Sequence, residues 1–142
     1  MNSVRYLISR AVFEALRDAP DLAGARVLDN PSEPQALAAG ERIVFVEDQS
    51  DGFIDQSGQA GTRRFVFAIG VINRTSAARA GADADYVAAE AAVRERHTAL
   101  IRELGCGPLR EREVSFRVEA IDVGGALVLG TFEVEYRRPR RP

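Results

Sequence analysis

One predicted β-strand, residues 63–73, is apolar on both of its faces. Its side chains alternate between one set, Phe65, Phe67, Ile69 and Val71, and a second set, Val66, Ala68, Gly70 and Ile72. A strand that is covered by helices on one side normally carries polar residues on the other. We therefore expect the second face to meet another layer or another subunit, with Val66 and Ile72 as candidate contacts.

A polar connection of 15 residues, 48–62, precedes this strand. A tight hairpin needs only about two to five residues, so a segment of this length indicates a long β-hairpin arm that either binds a partner or is disordered. It contains Phe53 and Ile54 among polar residues that include Asp51 and Asp55. Because an isolated arm cannot bury two large apolar side chains against itself, we predict that these four residues belong to an assembly interface.

Two segments have the 3.6-residue periodicity of amphipathic helices. The first runs from about residue 3 to residue 18, where Pro20 ends it. The second has its apolar stripe over residues 86–104. Small residues precede this stripe and are expected to form a connection, after which either Asp83 or Asp85 can cap the helix by accepting from its free amides.

Four runs of β-forming residues complete the pattern, and a short edge strand is possible near Val27. The runs cover residues 43–47, 63–73, 114–120 and 128–136, with Gly124 and Gly125 as the turn between the last two. The order α-β-β-α-β-β predicts an α+β fold in which both helices pack on one face of a mainly antiparallel sheet. A chain of 142 residues is expected to form a single domain, over residues 1–136, followed by a flexible tail.

Composition excludes few functions, but it indicates the kind of genome that encodes the protein and the compartment in which it assembles. The chain has 46% apolar and 28% charged residues and a formal net charge of −2, which is typical of a soluble globular protein. All 19 basic residues are arginine, a pattern typical of a GC-rich bacterial or phage genome. A single cysteine indicates a cytoplasmic place of assembly, and the longest apolar run, residues 65–72, is too short to span a bilayer.

Catalytic and metal-binding patterns are weak, so we predict no enzyme activity and no cofactor. His97, the only histidine, lies on the apolar stripe of the second helix, where a packing role is expected. Cys106 follows the end of that helix, where the dipole disfavours a thiolate. A group of carboxylates has the chemistry to hold a hard cation, but its spacing matches no EF-hand; it comprises Glu47, Asp48, Asp51 and Asp55.

The C-terminal tail is basic and rich in proline. Four of its six residues are arginines, namely Arg137, Arg138, Arg140 and Arg141. Such a tail can contact DNA phosphates or an acidic protein surface, although four charges alone bind weakly at physiological salt. A solvated tail is the simpler interpretation.

The order of these elements resembles that of one protein family. The first helix runs into Ala19-Pro20-Asp21-Leu22, and Val27-Leu28-Asp29 and a proline-containing link follow. The long connection, the alanine-rich second helix and the paired closing strands complete the pattern. Over nearly its whole length the chain resembles the tail-terminator, or tail-completion, proteins of long-tailed bacteriophages, prophages and gene transfer agents.

This resemblance implies a structural virion protein at the head-proximal end of the tail. Such a protein forms a ring, typically of six subunits, that caps the tail tube, stops its polymerisation and offers a surface for head-tail joining. The expected partners are other copies of the chain, the tail tube protein and the head-tail connector, with DNA passing through the lumen. The resemblance assigns no role to an individual residue.

Other functions stay open from the sequence. One is a different connector or ring component of the same particle. Another is a small-molecule-binding α+β regulatory domain in which residues 48–62 form a lid. An enzyme that uses His97 with Asp51 and Asp55 is the least supported alternative.

Overall fold

A computed structural model describes residues 2–31, 40–57, 60–118 and 125–137, without the side chains of residues 55–57, 60, 117 and 118. The predicted α+β class is confirmed. In chain order the elements are α1 (Val4–Asp18), a short 3₁₀ turn (Pro20–Leu22), β1 (Arg26–Asp29), β2 (Arg42–Ser57), β3 (Ala60–Asn73), α2 (Ala78–Leu104), β4 (Arg110–Val118) and β5 (Ala126–Arg137). Gly124, predicted in the last turn, lies outside the described residues.

The five strands form one mixed sheet in the order β1-β2-β3-β5-β4. β1 is the short edge strand predicted near Val27, and it pairs in parallel with β2. All other neighbours are antiparallel, as expected from the hairpin pattern. The central position of β3, between β2 and β5, explains why its sequence is the most apolar of the sheet.

Both helices pack on the same face of the sheet. The apolar stripes of α1 and α2 pack against the sheet. They form one core together with every second residue of β2, β3 and β5. At its centre the rings of Phe65, Phe67 and Phe132 stack with centroids 5.5 and 5.8 Å apart. Within the described residues, neither helix has the length and hydropathy that crossing a membrane requires.

The other face of the sheet is apolar at its centre, as the sequence indicates. Val66 and Ala68 are buried there, and Ile72 is half-buried. The Phe45 ring lies directly over Gly70, where a Cβ atom would overlap it. Part of this face is therefore covered by the chain's own aromatic side chain, and contact with another subunit stays a prediction.

Three of the four helix ends lie where the sequence predicts them. Ser3 caps α1, and Gly105 ends α2 in the left-handed conformation with φ 64°. The predicted start of α2 is wrong, because the helix begins at Ala78 and places Asp83 and Asp85 within its first turns. The alanines before them have high helix propensity and extend the helix towards β3.

Asp85 has a different role, as the acceptor that joins three parts of the fold. Arg42, the first residue of β2, donates to its carboxylate from Nε at 3.0 Å and from Nη2 at 2.7 Å. Asn73, the last residue of β3, donates to Oδ2 at 3.1 Å. Arg42 also donates to the Ala23 carbonyl at 3.2 Å. This bidentate pair fixes the start of α2 against the end of the β2–β3 ladder.

Residues 48–62, predicted as a polar connection and long hairpin arm, are mostly β-structure, so both strands extend further into this segment than the apolar runs predict. β2 continues to Ser57 and β3 begins at Ala60, with Asp51 opposite Phe65 and Phe53 opposite Arg63. Bulges after Asp48 and after Phe53 accommodate residues of low β propensity. The neighbouring strand supplies hydrogen bonds that local sequence preference does not reveal.

Replacing Asp85 with Asn tests this buried pair. We expect the free energy of unfolding to fall by about 2 kcal/mol, because Arg42 loses its charged acceptor in a partly buried position. Asp83→Asn is the matched control, since Asp83 is exposed on the same helix, and it should change stability by less than about 0.5 kcal/mol. Urea denaturation followed by circular dichroism measures both values, and equal losses would contradict the assignment.

Candidate functional site

Asp51 is buried at the base of the hairpin formed by β2 and β3. Its side chain is only 6% exposed. The Tyr136 hydroxyl donates to Oδ2, Arg63 donates from Nε to Oδ1 at 2.7 Å, and Nη1 of Arg5 lies 3.5 Å from Oδ2. The four residues, here called the Asp51 cluster, come from β2, β5, β3 and α1, so one carboxylate ties the hairpin to the rest of the domain.

The two donors with the shortest contacts to Asp51, Tyr136 and Arg63, both have raised pKa values. Burial, together with the hydrogen bond to Asp51, raises the pKa of Tyr136 to about 12, so this hydroxyl remains a donor. The hydrogen bond to Asp51 also raises the pKa of Arg63, which therefore stays cationic. A charged donor and a neutral donor satisfy a carboxylate that is almost removed from water.

Arg63 also contacts Phe53, which projects from the same hairpin. The guanidinium carbon lies 4.1 Å from the centroid of the Phe53 ring, a cation–π contact. One side chain thus connects the buried carboxylate to a predicted interface residue. Arg63 and Tyr136 were missed in the sequence, because their contacts depend on the register of β2, β3 and β5, which hydrophobic periodicity does not give.

Phe53 and Ile54 remain largely exposed, at 42% and 45%. Together with Arg63 they lie in what we call the hairpin end, residues 53–57 and 60–63. Asp51 itself offers little surface to a partner, and its effect on the hairpin end is through Arg63. The side chain of Asp55, the fourth predicted residue of the arm, is outside the described part of the structure.

Of the other predicted contact residues, Val66 and Ile72 lie away from the hairpin end, whereas Arg137 lies beside it. Val66 is buried on the face of the sheet that points away from the helices. Ile72 lies near the C-terminal end of β3, paired with Ile43. Arg137 is exposed and pairs with Thr62 beside the hairpin end. Three further arginines of the predicted tail contact, Arg138, Arg140 and Arg141, fall outside the described residues.

His97 and Cys106 pack against each other where α2 ends. His97 is buried, and its Nε2 lies 2.8 Å from the Gly107 carbonyl oxygen, to which it donates. The Cys106 sulfur is 3.9 Å from the same nitrogen, and burial raises the pKa of the thiol. Both side chains have the packing environment that the sequence indicated, and a raised pKa disfavours a nucleophilic thiolate.

Two of the four carboxylates considered for a cation, Asp48 and Asp51, have hydrogen-bond partners of their own. Asp48 accepts from the Ser9 hydroxyl at 2.6 Å, whereas Asp51 is held in its cluster. Across residues 2–31, 40–57, 60–118 and 125–137, no three acidic, histidine or cysteine side chains are grouped closely enough to hold a metal ion.

Two open grooves lie on the helix side of the sheet. One, of about 500 Å³, runs between the two helices and is lined by residues such as Glu14, Asp18 and Arg96. The other, of about 600 Å³, lies between the start of α2 and the edge strand β4. None of the residues lining either groove comes from segment 48–62, the lid of the regulatory-domain alternative.

Comparison with known proteins gives a similar virion chain. No family model matches the sequence, and no curated protein does. Among solved structures, the chain is similar to one described as "Virion of native gene transfer agent (GTA) particle", with 21% identity and a TM-score of 0.49. The match covers 92% of this chain and 94% of that chain.

Replacing Arg63 with Met tests its place in the Asp51 cluster. We expect a loss of about 2 kcal/mol in the free energy of unfolding, because a buried carboxylate loses its strongest donor. Arg64→Met is the control, since Arg64 is half-exposed and pairs with Glu133 and Glu135 at 3.3 and 3.5 Å. Its loss should stay below about 1 kcal/mol. Denaturant unfolding of both variants gives the comparison, and a larger loss for Arg64→Met would contradict the cluster's importance.

Proposed function

We propose that the protein is a structural virion protein, a tail terminator that forms a ring at the head-proximal end of a tail tube. The ring stops polymerisation of the tube and joins the tail to the head connector. The observation that carries this proposal is the exposure of Phe53 and Ile54 on a hairpin end that the Asp51 cluster holds in place. The resemblance of the element order to tail terminators supplies the class of particle.

The hairpin end has the properties of a binding anchor. Single exposed apolar residues are common on protein surfaces, but here two adjacent ones project from a paired β-ladder. The Phe53 ring is held by Arg63, which in turn is held by a buried carboxylate. Side chains that are ordered before binding lose less entropy when they dock, and aromatic residues and arginine are frequent hot spots.

A ring needs two different surfaces on each subunit, because a heterologous contact repeated about an axis closes on itself. The hairpin end supplies one surface in this proposal. The tube and the connector then bind the two rims of the ring, as partners outside the subunit contact. Phe45 and Ile72, on the sheet face away from the helices, are available for such contacts because each is only half-buried.

A structural role also accounts for the side chains that a catalyst would use. His97 and Cys106 are engaged in packing at the end of α2, and Asp51 is engaged by Arg63 and Tyr136. Each has a partner that explains its position through stability of the fold. We therefore propose a non-enzymatic part that acts by shape and surface complementarity.

Replacing Phe53 and Ile54 together with Ser tests the hairpin end. We expect at least tenfold weaker ring formation with a change in monomer stability of only about 1 kcal/mol, because both side chains are exposed and the contact between Phe53 and Arg63 is the main one lost. Native mass spectrometry and negative-stain microscopy measure assembly of the parent chain and the variant. Val87→Ser is the matched control, since Val87 is 60% exposed on α2.

Two results would contradict this part of the proposal. One is a variant that assembles as well as the parent chain. The other is a large loss of monomer stability, which would make Phe53 and Ile54 core residues of the fold.

Capping of tail tubes tests the terminator role against that of another connector ring. Purified protein added to polymerising tail tube protein should shorten the tubes and appear as a ring at one end, measured by electron microscopy. The Phe53→Ser, Ile54→Ser double variant serves as the control and should leave tube length unchanged. Rings that form but never bind tube ends would assign the protein to the connector instead.

A further inference from the structure

The groove between α2 and β4 is an apolar surface that the described elements leave open. α2 packs mainly on β3 and β5, so the edge strand β4 lies beyond its cover. The first turn of α2 contributes the small residue Ala80, which leaves room above the sheet. The groove has a volume of about 600 Å³, with Phe116, Leu127 and Val128 on the sheet side and Arg79, Ala80 and Asp83 on the helix side.

Phe116 is the most exposed large apolar side chain among the described residues, at 68%. It lies opposite Val128, a core residue, and therefore on the helix side of β4. Pockets for small molecules bury about 70–90% of their ligand, which a shallow groove with an exposed rim does not offer. A protein segment that brings its own scaffold fits this site better.

We propose that this groove receives Phe53 and Ile54 from the hairpin end of a second copy of the chain. This inference rests on the proposed function and names the surface that completes the ring contact. The apolar side of the groove matches the two exposed apolar side chains.

The charges of the two surfaces are also complementary. Asp83, on the rim of the groove, makes no ion pair with any side chain in the described part of the chain and can accept from Arg137, which is exposed and pairs with Thr62 beside the hairpin end. Arg79, one turn earlier on α2, adds a positive charge, so the rim carries one charge of each sign. The groove is therefore suited to a segment that carries both apolar and charged groups.

The sheet geometry requires that the contact join two copies. Along the strand direction, Phe53 lies at the position of Arg63 and Tyr136, its neighbours across the sheet. Phe116 lies at the position of Val128. Val128 and Tyr136 are eight residues apart along β5, which corresponds to about 27 Å. A hairpin end cannot reach the groove of its own chain, so a hairpin end that occupies a groove comes from another copy. Such a head-to-tail contact is heterologous and can close a ring.

Engineered cysteines test this contact. Equal amounts of Ile54→Cys and Phe116→Cys proteins are mixed and oxidised with oxidised glutathione, and disulfide-linked dimers are measured on non-reducing gels. Ile54→Cys with Val87→Cys is the matched control, because Val87 is exposed on α2 and does not line the groove. The native Cys106 is buried, with a raised thiol pKa, and stays unreactive.

We expect at least tenfold more dimer from the Ile54 and Phe116 pair than from the control pair. A chain with both substitutions should give a ladder of linked subunits, because a bond within one chain would need Cα atoms within about 7 Å. Ala80→Cys serves as a second groove position if Phe116→Cys fails to fold. In a double-mutant cycle, Phe53→Ser and Phe116→Ser together should weaken assembly no more than either substitution alone.

The possible failures separate the two proposals. Rings of normal mass without the Ile54 to Phe116 crosslink, or with equal crosslinking to Val87, would overturn the groove assignment and leave the ring intact. A parent chain that stays monomeric at high concentration and beside tail tubes would overturn both. Phe116→Ser that abolishes binding of a small molecule but leaves assembly unchanged would assign the groove to that ligand instead.

Discussion

The positions of Asp51, Phe53 and Arg63 depend on the ladder between β2 and β3. Regular alternation beyond Asp48 would place Ser50 on the helix side of the sheet, but the bulge there shifts the pattern by one residue. Asp51 therefore faces Tyr136 and Arg5, and Phe53 falls opposite Arg63. One inserted residue decides whether the carboxylate is buried in a cluster or left on the opposite face.

Two arginine–carboxylate pairs stabilise the domain at the two ends of β3. Arg63 binds Asp51 at one end, and Arg42 binds Asp85 at the other. The aromatic core lies between them, so the helices are tied to the sheet by polar contacts where the apolar contacts end. The planar guanidinium suits such sites because it can donate two parallel hydrogen bonds, which a lysine ammonium cannot.

The architecture of the chain could be predicted from its sequence because periodicity reports burial directly. The two helices, the short strand at Val27 and the two apolar faces of β3 follow from it. The start of α2 and the strand character of residues 48–62 do not, because each depends on tertiary partners. Asp51 illustrates the limit: its hydrogen-bond partner Tyr136 is 85 residues away, and a bulge brings the two together. The exposure of Phe53 and Ile54, in contrast, follows from their polar neighbours.

The part of the hairpin between Thr62 and its turn can change in length as proteins of this fold diverge. Among the residues that the structure describes, β5 ends beside Thr62, and the outermost pairs join β2 and β3 alone. Adding or removing one residue from each strand there changes the length of the hairpin without altering any contact of the aromatic core. The reach of the subunit towards a neighbour can therefore evolve separately from the stability of the domain.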